Sequence, residues 1–246
     1  MRALALLYGV AVYFLFFAAF LYFIPFIGGD MLAFVGAPRT LDFGNISGGG
    51  AALIDIGLLL LFAVQHSVMA RRSFKKVWTK LIPHAIERST YVLATTAVLI
   101  FMYIEWQPLP NIVWQVGPGF WSAVLTALFF AGIAIVFIST FLLNHFELFG
   151  LQQVWHAFRG TPVPAPVFRT PLFYKLVRHP IYLGFLLAFW STPTMTVGHL
   201  LFAAIWTAYI FIAIGYEERD LMRHFGQTYV DYMSRVPTII PFTTWS

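Results

Sequence analysis

The sequence predicts an all-α fold, a polytopic membrane helical bundle: four spans, then a C-terminal re-entrant or spanning helical hairpin and a cytoplasmic tail helix. Three observations predict it. Of 246 residues, 60% are hydrophobic and only 10% charged, with a mean hydropathy of +0.79. A soluble domain carries about 25% charged residues, so much of this surface must meet lipid. The apolar residues gather in stretches near the ~20 residues that cross ~30 Å of hydrocarbon. The basic residues fall between those stretches so that nearly all of them share one side of the bilayer.

The first stretch, residues 3–27, ends at Pro25 and Gly28-Gly29. It is longer than the ~7–15 residue core of a signal peptide, and no short polar cleavage region follows it, so a retained helix is expected. The second, 51–70, follows the turn Gly48-Gly49-Gly50. The third, 90–104, is short for a span, and the fourth is 119–143. A polar segment, 144–178, carries Pro162, Pro164, Pro166 and Pro171. The last apolar stretch, 181–216, contains no Asp, Glu, Lys or Arg. As one helix it would run ~54 Å, far more than the hydrocarbon core, and Pro193 and Gly198 interrupt it. A hairpin with arms near 181–191 and 199–216 fits better. Helix then continues to about Phe225, where Gly226 is a C-terminal stop, and 236–241 reads as extended packing.

Charge placement supports the hairpin independently. Residues 71–88 carry Arg71, Arg72, Lys75, Lys76, Lys80 and Arg88; Arg159, Arg169, Lys175 and Arg178 precede the hairpin; Arg219, Arg223 and Arg235 follow it. With Arg2, these share the cytoplasmic side if the last stretch turns back, and only Arg39 lies outside. The loop 105–118 has no Lys or Arg. The chain therefore reads as one integral membrane domain, 1–246, with a four-helix part, 1–143, and a C-terminal part, 144–246.

Composition also excludes chemistry. There is no cysteine, which removes disulfides, thiolate metal sites, Fe–S clusters and cysteine nucleophiles. The net charge of +5 sits beside the spans, where it serves topology and anionic membrane lipid rather than nucleic acid. No His-x-x-x-His or His-x-x-Glu-His spacing occurs, so no metal is expected.

Two polar clusters flank the hairpin: Arg178-His179-Pro180-Ile181-Tyr182-Leu183-Gly184 and Glu217-Glu218-Arg219-Asp220-Leu221. Pro180 suits the first turn of a helix. That places Arg178 and His179 at a helix N-terminus, where free N–H groups and the dipole favour an anion. Gly184 lets a ligand or a helix approach closely, and Tyr182 offers a ring face to a cation. Glu217 and Glu218 accept hydroxyls or an amine. Together these suit a ligand bearing a carboxylate, an amine, a sulfonium and a ribose diol. Each also has an ordinary explanation: a basic anchor, an interfacial aromatic, a solvated acidic face paired with Arg219 or Arg223.

The series Arg178-His179-Pro180-x-Tyr182-x-Gly184, Glu217-Glu218-x-x-Leu221 and Gly226-x-x-Tyr229-x-x-Tyr232 resembles the isoprenylcysteine carboxyl methyltransferase superfamily, which includes phospholipid N-methyltransferases and NnrU-like bacterial proteins. The resemblance implies S-adenosylmethionine held between the hairpin base and the tail helix. His179, Pro180, Tyr182, Leu183, Gly184, Glu217 and Glu218 would line its pocket, beside Arg178. Where that superfamily often has Gly-x-Tyr, this chain has Pro171-Leu172-Phe173-Tyr174.

Further blocks resemble bacterial methanethiol S-methyltransferases: Gln65-His66-Ser67, Asn144-His145-Phe146-Glu147-Leu148-Phe149-Gly150-Leu151-Gln152-Gln153, Phe189-Trp190-Ser191 and Met195-Thr196-Val197-Gly198-His199-Leu200. That resemblance implies methyl transfer to methanethiol, releasing dimethyl sulfide and S-adenosylhomocysteine. A bacterial inner-membrane enzyme is expected, and the placement of the basic residues puts its site on the cytoplasmic face. A thiol reacts as thiolate, so a base is needed; the candidates are His145, Glu147 and His66. Their ordinary explanations are a helix-end hydrogen bond for His145, pairing with Arg159 or Arg169 for Glu147, and an interhelical bond for His66. Asp55, three turns before His66, lies toward the outer end of its span, and His156, His199 and His224 read as structural. A lipid, isoprenylcysteine or other small thiol is the alternative acceptor. A non-enzymatic transporter or assembly factor of the NnrU type is the alternative class, although mid-membrane polar residues and inverted repeats are not visible. Nothing in the sequence marks an oligomeric state.

Overall fold

The computed structural model describes residues 1–44, 49–165 and 167–243; Gly48 of the expected glycine turn and Pro166 lie outside them. The elements are α1 (Arg2–Gly28), a 3-10 segment (Gly29–Val35), α2 (Ala51–Ala70), α3 (Arg72–Trp78), α4 (His84–Glu105), β1 (Ile112–Gln115), α5 (Phe120–Leu143), α6 (His145–Leu148), α7 (Leu151–Arg159), a second 3-10 segment (Leu172–Lys175), α8 (Pro180–Trp190), β2 (Thr194–Thr196), α9 (Val197–Phe225) and α10 (Gln227–Met233). Five helices are long and apolar enough to cross a membrane. The protein is an all-α polytopic membrane protein, with one two-stranded ribbon, β1 and β2, among the described residues.

The expected hairpin is present. Its first arm, α8, has 11 residues and covers about 16 Å at the usual rise, roughly half the hydrocarbon core. Its second arm, α9, has 29 residues and carries Glu217 and Glu218 beyond its apolar part. Gly226 at φ +57° closes α9 as expected, and α10 follows it. The expected start of the third span is too late: α4 begins at His84. Its early polar turns find partners on other elements. Lys75 lies 3.7 Å from Glu87, and Arg88 Nε donates to the Leu148 carbonyl at 2.7 Å. Pro25, expected near the end of the first helix, lies inside α1, which stops at Gly29 with φ +51°. A side chain at Gly29 would collide with Asp42. The polar segment after the fourth span contains two helices, α6 and α7, that its prolines do not interrupt.

The chain divides into two compact units. The first comprises Met1–Asn111, Asn144–Ala165 and Thr196–His199. Here α1 packs on α4 and α7, and α4 packs on α2. Val12, Tyr91 and Val92 form a buried cluster with Tyr8, Phe16, Met69, Leu93 and Phe149 around it. Polar pins close the far ends of these helices. Tyr103 Oη donates to the Ala19 carbonyl at 3.0 Å, Trp106 Nε1 to the Leu41 carbonyl at 3.2 Å, and the Gln107 N–H to Asp55 Oδ1 at 2.9 Å. Asp55 is therefore a structural acceptor on the face of α2 nearest that loop. Another buried pin joins Asp42 to the start of α9: Thr196 Oγ1 donates to Asp42 Oδ1 at 2.6 Å, and His199 Nδ1 lies 3.8 Å from Asp42 Oδ2. His199, read from the sequence as structural, is buried at this pin.

The second unit comprises Ile112–Leu143, Pro166–Met195 and Leu200–Ser246. Its core contact is α5 on α8. Gly132 and Gly184 face each other so closely that a Cβ at either would lie 2.5–2.6 Å from the other's carbonyl oxygen. In lipid, helices gain stability from such close backbone approach, which glycine alone permits. Outward-facing Phe130, Phe141, Phe211 and Ile212 supply the apolar surface that lipid solvates.

Candidate active site

The polar cluster of the second unit is built on the start of α8. Pro180 takes the first helical position, with His179 before it. The Leu183 N–H makes the first turn's bond back to the His179 carbonyl. No side chain caps this end, and Pro180, with no N–H of its own, takes the first position. The segment after α10 runs alongside: the Arg178 N–H donates to the Pro237 carbonyl at 2.8 Å and the His179 N–H to the Thr238 carbonyl at 3.1 Å. Extended packing was expected for 236–241; the segment is instead a run of bends and turns, since its backbone carbonyls turn toward Arg178 and His179.

Arg178 is engaged within the protein at all three guanidinium nitrogens. Nε donates to Glu218 Oε1 at 2.8 Å, Nη1 to the Met233 and Val236 carbonyls at 3.0 and 2.6 Å, and Nη2 to Thr238 Oγ1 at 2.6 Å. The same Glu218 oxygen lies 3.1 Å from His179 Nε2, while His179 Nδ1 is 3.7 Å from Glu217 Oε2. The imidazole thus stands between two carboxylates. His179 is 4% exposed, and the Glu218 side chain is 14% exposed against 46% for Glu217. Glu218 is the interior member of the pair and Glu217 the accessible one.

Tyr182 is tilted 30° to the His179 ring at 5.6 Å. Gly184 lies where α8 meets α5, so the contact that demands glycine there is a helix. Buried tyrosines complete the surroundings. Tyr232 Oη donates to the Tyr174 carbonyl at 2.5 Å, and Phe168 stands edge-on to Tyr229 and Tyr232. Burial pushes the Tyr174 and Tyr229 phenols far up, helped by the nearby glutamates, and raises Tyr232 to about 12. They are neutral at physiological pH.

The first unit holds the base candidates. Asn144 caps α6: its Oδ1 accepts the Glu147 N–H at 3.3 Å, and its Nδ2 donates to Glu147 Oε2 at 3.0 Å and Gln152 Oε1 at 2.5 Å. Asn144, rather than Arg159 or Arg169, therefore holds Glu147. Gln153 Nε2 reaches the Glu147 carbonyl at 3.2 Å. His145, 4% exposed, has Nε2 2.8 Å from Tyr13 Oη, with Phe149 at 4.8 Å and Phe146 at 5.6 Å between ring centres. Burial draws its pKa below the ordinary imidazole value. His66 is on α2, with its ring nitrogens 2.9 and 3.0 Å from Tyr91 Oη and its ring stacked on Phe62. That is the interhelical bond expected as its ordinary role. Among the described residues, no group of three or more His, Asp or Glu is placed to hold a metal.

No protein-family profile matches this chain, and neither does any solved structure. Curated relatives do. The chain is 49% identical over 242 residues to methanethiol S-methyltransferase 1 of Bradyrhizobium diazoefficiens, covering 98% of this chain and 83% of that one. It is 47% identical over 242 residues to methanethiol S-methyltransferase of Mycobacterium tuberculosis, covering 98% and 97%.

The chain belongs to the methanethiol S-methyltransferase family.

It is therefore an enzyme, an S-methyltransferase, and the reading as a non-enzymatic transporter or assembly factor falls away. A more distant similarity, 31% over 176 residues, links this methyltransferase to human Nurim, covering 68% of this chain and 66% of that one.

Of the sequence-predicted residues, the structure brings Arg178, His179, Glu217 and Glu218 into one bonded group with Tyr182 beside it. In the first unit it ties His145 and Glu147 to Asn144 and Tyr13, and His66 to Tyr91. Sequence reasoning did not single out Tyr13 or Thr238. A tyrosine inside an apolar span resembles any other lipid-facing aromatic, and Thr238 carries no motif.

Proposed function

We propose that the enzyme transfers the methyl group of S-adenosylmethionine to the sulfur of methanethiol, releasing dimethyl sulfide and S-adenosylhomocysteine. The observation that carries this reading is the bonded group at the start of α8, in a chain whose relatives bear the name methanethiol S-methyltransferase. The residues fit the donor. Its carboxylate suits the positive end of the α8 dipole, and its amine and ribose hydroxyls suit the accessible Glu217 carboxylate and the Glu218 oxygen not bonded to Arg178. When bound, the donor supplies a methyl carbon made electrophilic by its sulfonium.

The protein's own residues do the rest. Arg178 fixes Glu218, the loop and the C-terminal segment, so it is a staple for the seat. His179 holds Glu218 on one side and faces Glu217 on the other. Pro180 sets the helix start, and Tyr182 and Leu183 present side chains on its first turn. Gly184 seats α8 against α5. His145 is the base of choice: buried and kept neutral, its imidazole takes the thiol proton as the S–H bond breaks. Glu147, held by Asn144, fixes the α6 turn that carries His145, and His66 orders the neighbouring helices through Tyr91. Basic residues crowd the loops that bear both clusters, which supports a seat on the cytoplasmic side of a bacterial inner membrane.

Two measurements test this. The purified, folded protein binds S-adenosylhomocysteine by calorimetry; a folded protein that binds none ends the reading. Methanethiol and S-adenosylmethionine supplied together yield headspace dimethyl sulfide; methylation of a prenylcysteine or phospholipid in its place would reassign the acceptor.

A further inference from the structure

We propose that Tyr13 of α1 is a positioning residue for His145, holding the imidazole through both of its protonation states. This rests on the reading of His145 as the base. The geometry is specific. Tyr13 Oη lies 2.8 Å from His145 Nε2, and the two rings meet edge to face, 5.7 Å apart at 83°. Phe146 and Phe149 stand against the His145 ring. Tyr13 itself stacks on Phe17 and leans on Phe149, so its hydroxyl is held by packing on its own helix and on the His145 turn.

Its position argues against a belt residue. Tyr13 lies about three turns into α1 from Arg2, whereas interfacial tyrosines gather at the ends of spans. The three tyrosines of α1 each reach a partner: Tyr8 bonds Thr90, Tyr22 bonds the Arg39 backbone, and Tyr13 alone bonds a titratable side chain.

A phenol hydroxyl both donates and accepts, and so matches an imidazole that changes between accepting and donating at one nitrogen. With neutral His145, Tyr13 can donate to Nε2. Once His145 has taken the thiol proton, Nε2 carries hydrogen and Tyr13 accepts from it. Phenylalanine keeps the packing and removes both options, leaving the buried imidazolium N–H without this acceptor. The charged and titratable groups facing this turn are Arg88 from α4, bonded to the Leu148 carbonyl, and Glu147 of α6, held by Asn144. From α7, the neutral Gln152 and Gln153 face it.

The test compares wild type, Tyr13→Phe and His145→Ala in lipid nanodiscs, reading dimethyl sulfide formation against pH and S-adenosylhomocysteine affinity. In Tyr13→Phe the acid limb of kcat moves to lower pH and the plateau falls about tenfold, the lower end for a hydrogen bond to a charged group, while S-adenosylhomocysteine binds as in wild type. Retained binding also shows that the variant is folded. An unmoved acid limb, or equal loss at every pH, overturns the positioning role. Full turnover in His145→Ala overturns the parent reading of His145 as base, and the role of Tyr13 with it. Loss in His145→Ala beside an unmoved limb in Tyr13→Phe removes Tyr13 alone.

Discussion

Arg178 Nε and Glu218 Oε1 stand 2.8 Å apart across 40 residues of sequence, tying the approach to α8 to the polar end of α9. The remaining Arg178 nitrogens clasp the segment after α10. One side chain therefore gathers three separate pieces of the second unit around His179.

The two glutamates are expected to separate by experiment. Glu218→Gln leaves Arg178 and His179 facing a neutral amide at a largely buried position. Replacing one partner of such a pair costs up to about 3 kcal/mol where some solvent reaches it. Both thermal stability and S-adenosylhomocysteine affinity should fall. Glu217→Gln, nearly half exposed, should weaken binding by roughly tenfold, the loss of one charged hydrogen bond, with a melting temperature close to wild type. Equal melting temperatures for both variants would contradict the interior role of Glu218.

Glycine substitutions should report the helix contact. Gly184→Ala places a methyl 2.6 Å from the Gly132 carbonyl oxygen, and overpacking of this kind costs about 1–3 kcal/mol. Gly215→Ala, on α9, meets open space and should be neutral or stabilise by up to about 1 kcal/mol through helix propensity. Thermal unfolding in detergent distinguishes them, and a stable Gly184→Ala would show that α5 and α8 do not meet this closely.

Leu172 has φ +38° and an exposed side chain. Left-handed backbone costs an L-residue about 1–2 kcal/mol, partly offset by the larger unfolded-state entropy of glycine. Leu172→Gly is therefore expected to raise stability by roughly 0.5–1 kcal/mol. A lower melting temperature would place the strain elsewhere.

Burial lowers the His145 pKa, and the sign of its pH effect follows. The unfolded chain takes up a proton near the ordinary imidazole value of ~6.5, while the folded protein resists until lower pH. Stability tied to neutral His145 is then full above ~6.5 and is lost as pH falls from there through the lowered folded value. Melting temperature should drop across that window more steeply in wild type than in His145→Asn. Identical slopes would mean that His145 does not titrate with unfolding.

Much of the architecture was legible because hydropathy and helix breakers act locally. The second span was expected at its observed bounds, the fourth within one residue, and the hairpin break at Pro193 matches the gap between α8 and α9. The start of α4 was missed because Glu87 and Arg88 read as loop, whereas Lys75 and the Leu148 carbonyl satisfy them in three dimensions. The two carboxylates were legible as a pair; which of them is interior was not, since the rotation of about 100° between neighbours on a helix decides it and the two look alike in sequence.

The sequence by itself determined the membrane fold, the turning back of the last apolar stretch, and the grouping of polar residues at its two ends, because span length, proline and charge are properties of contiguous residues. The tertiary structure alone decided that Arg178 braces Glu218, that Gly184 answers Gly132, and that His145 has Tyr13 for a partner. Those are meetings between side chains far apart in sequence, and a hydrogen bond or a backbone contact depends on distances of a few tenths of an ångström that only packing sets.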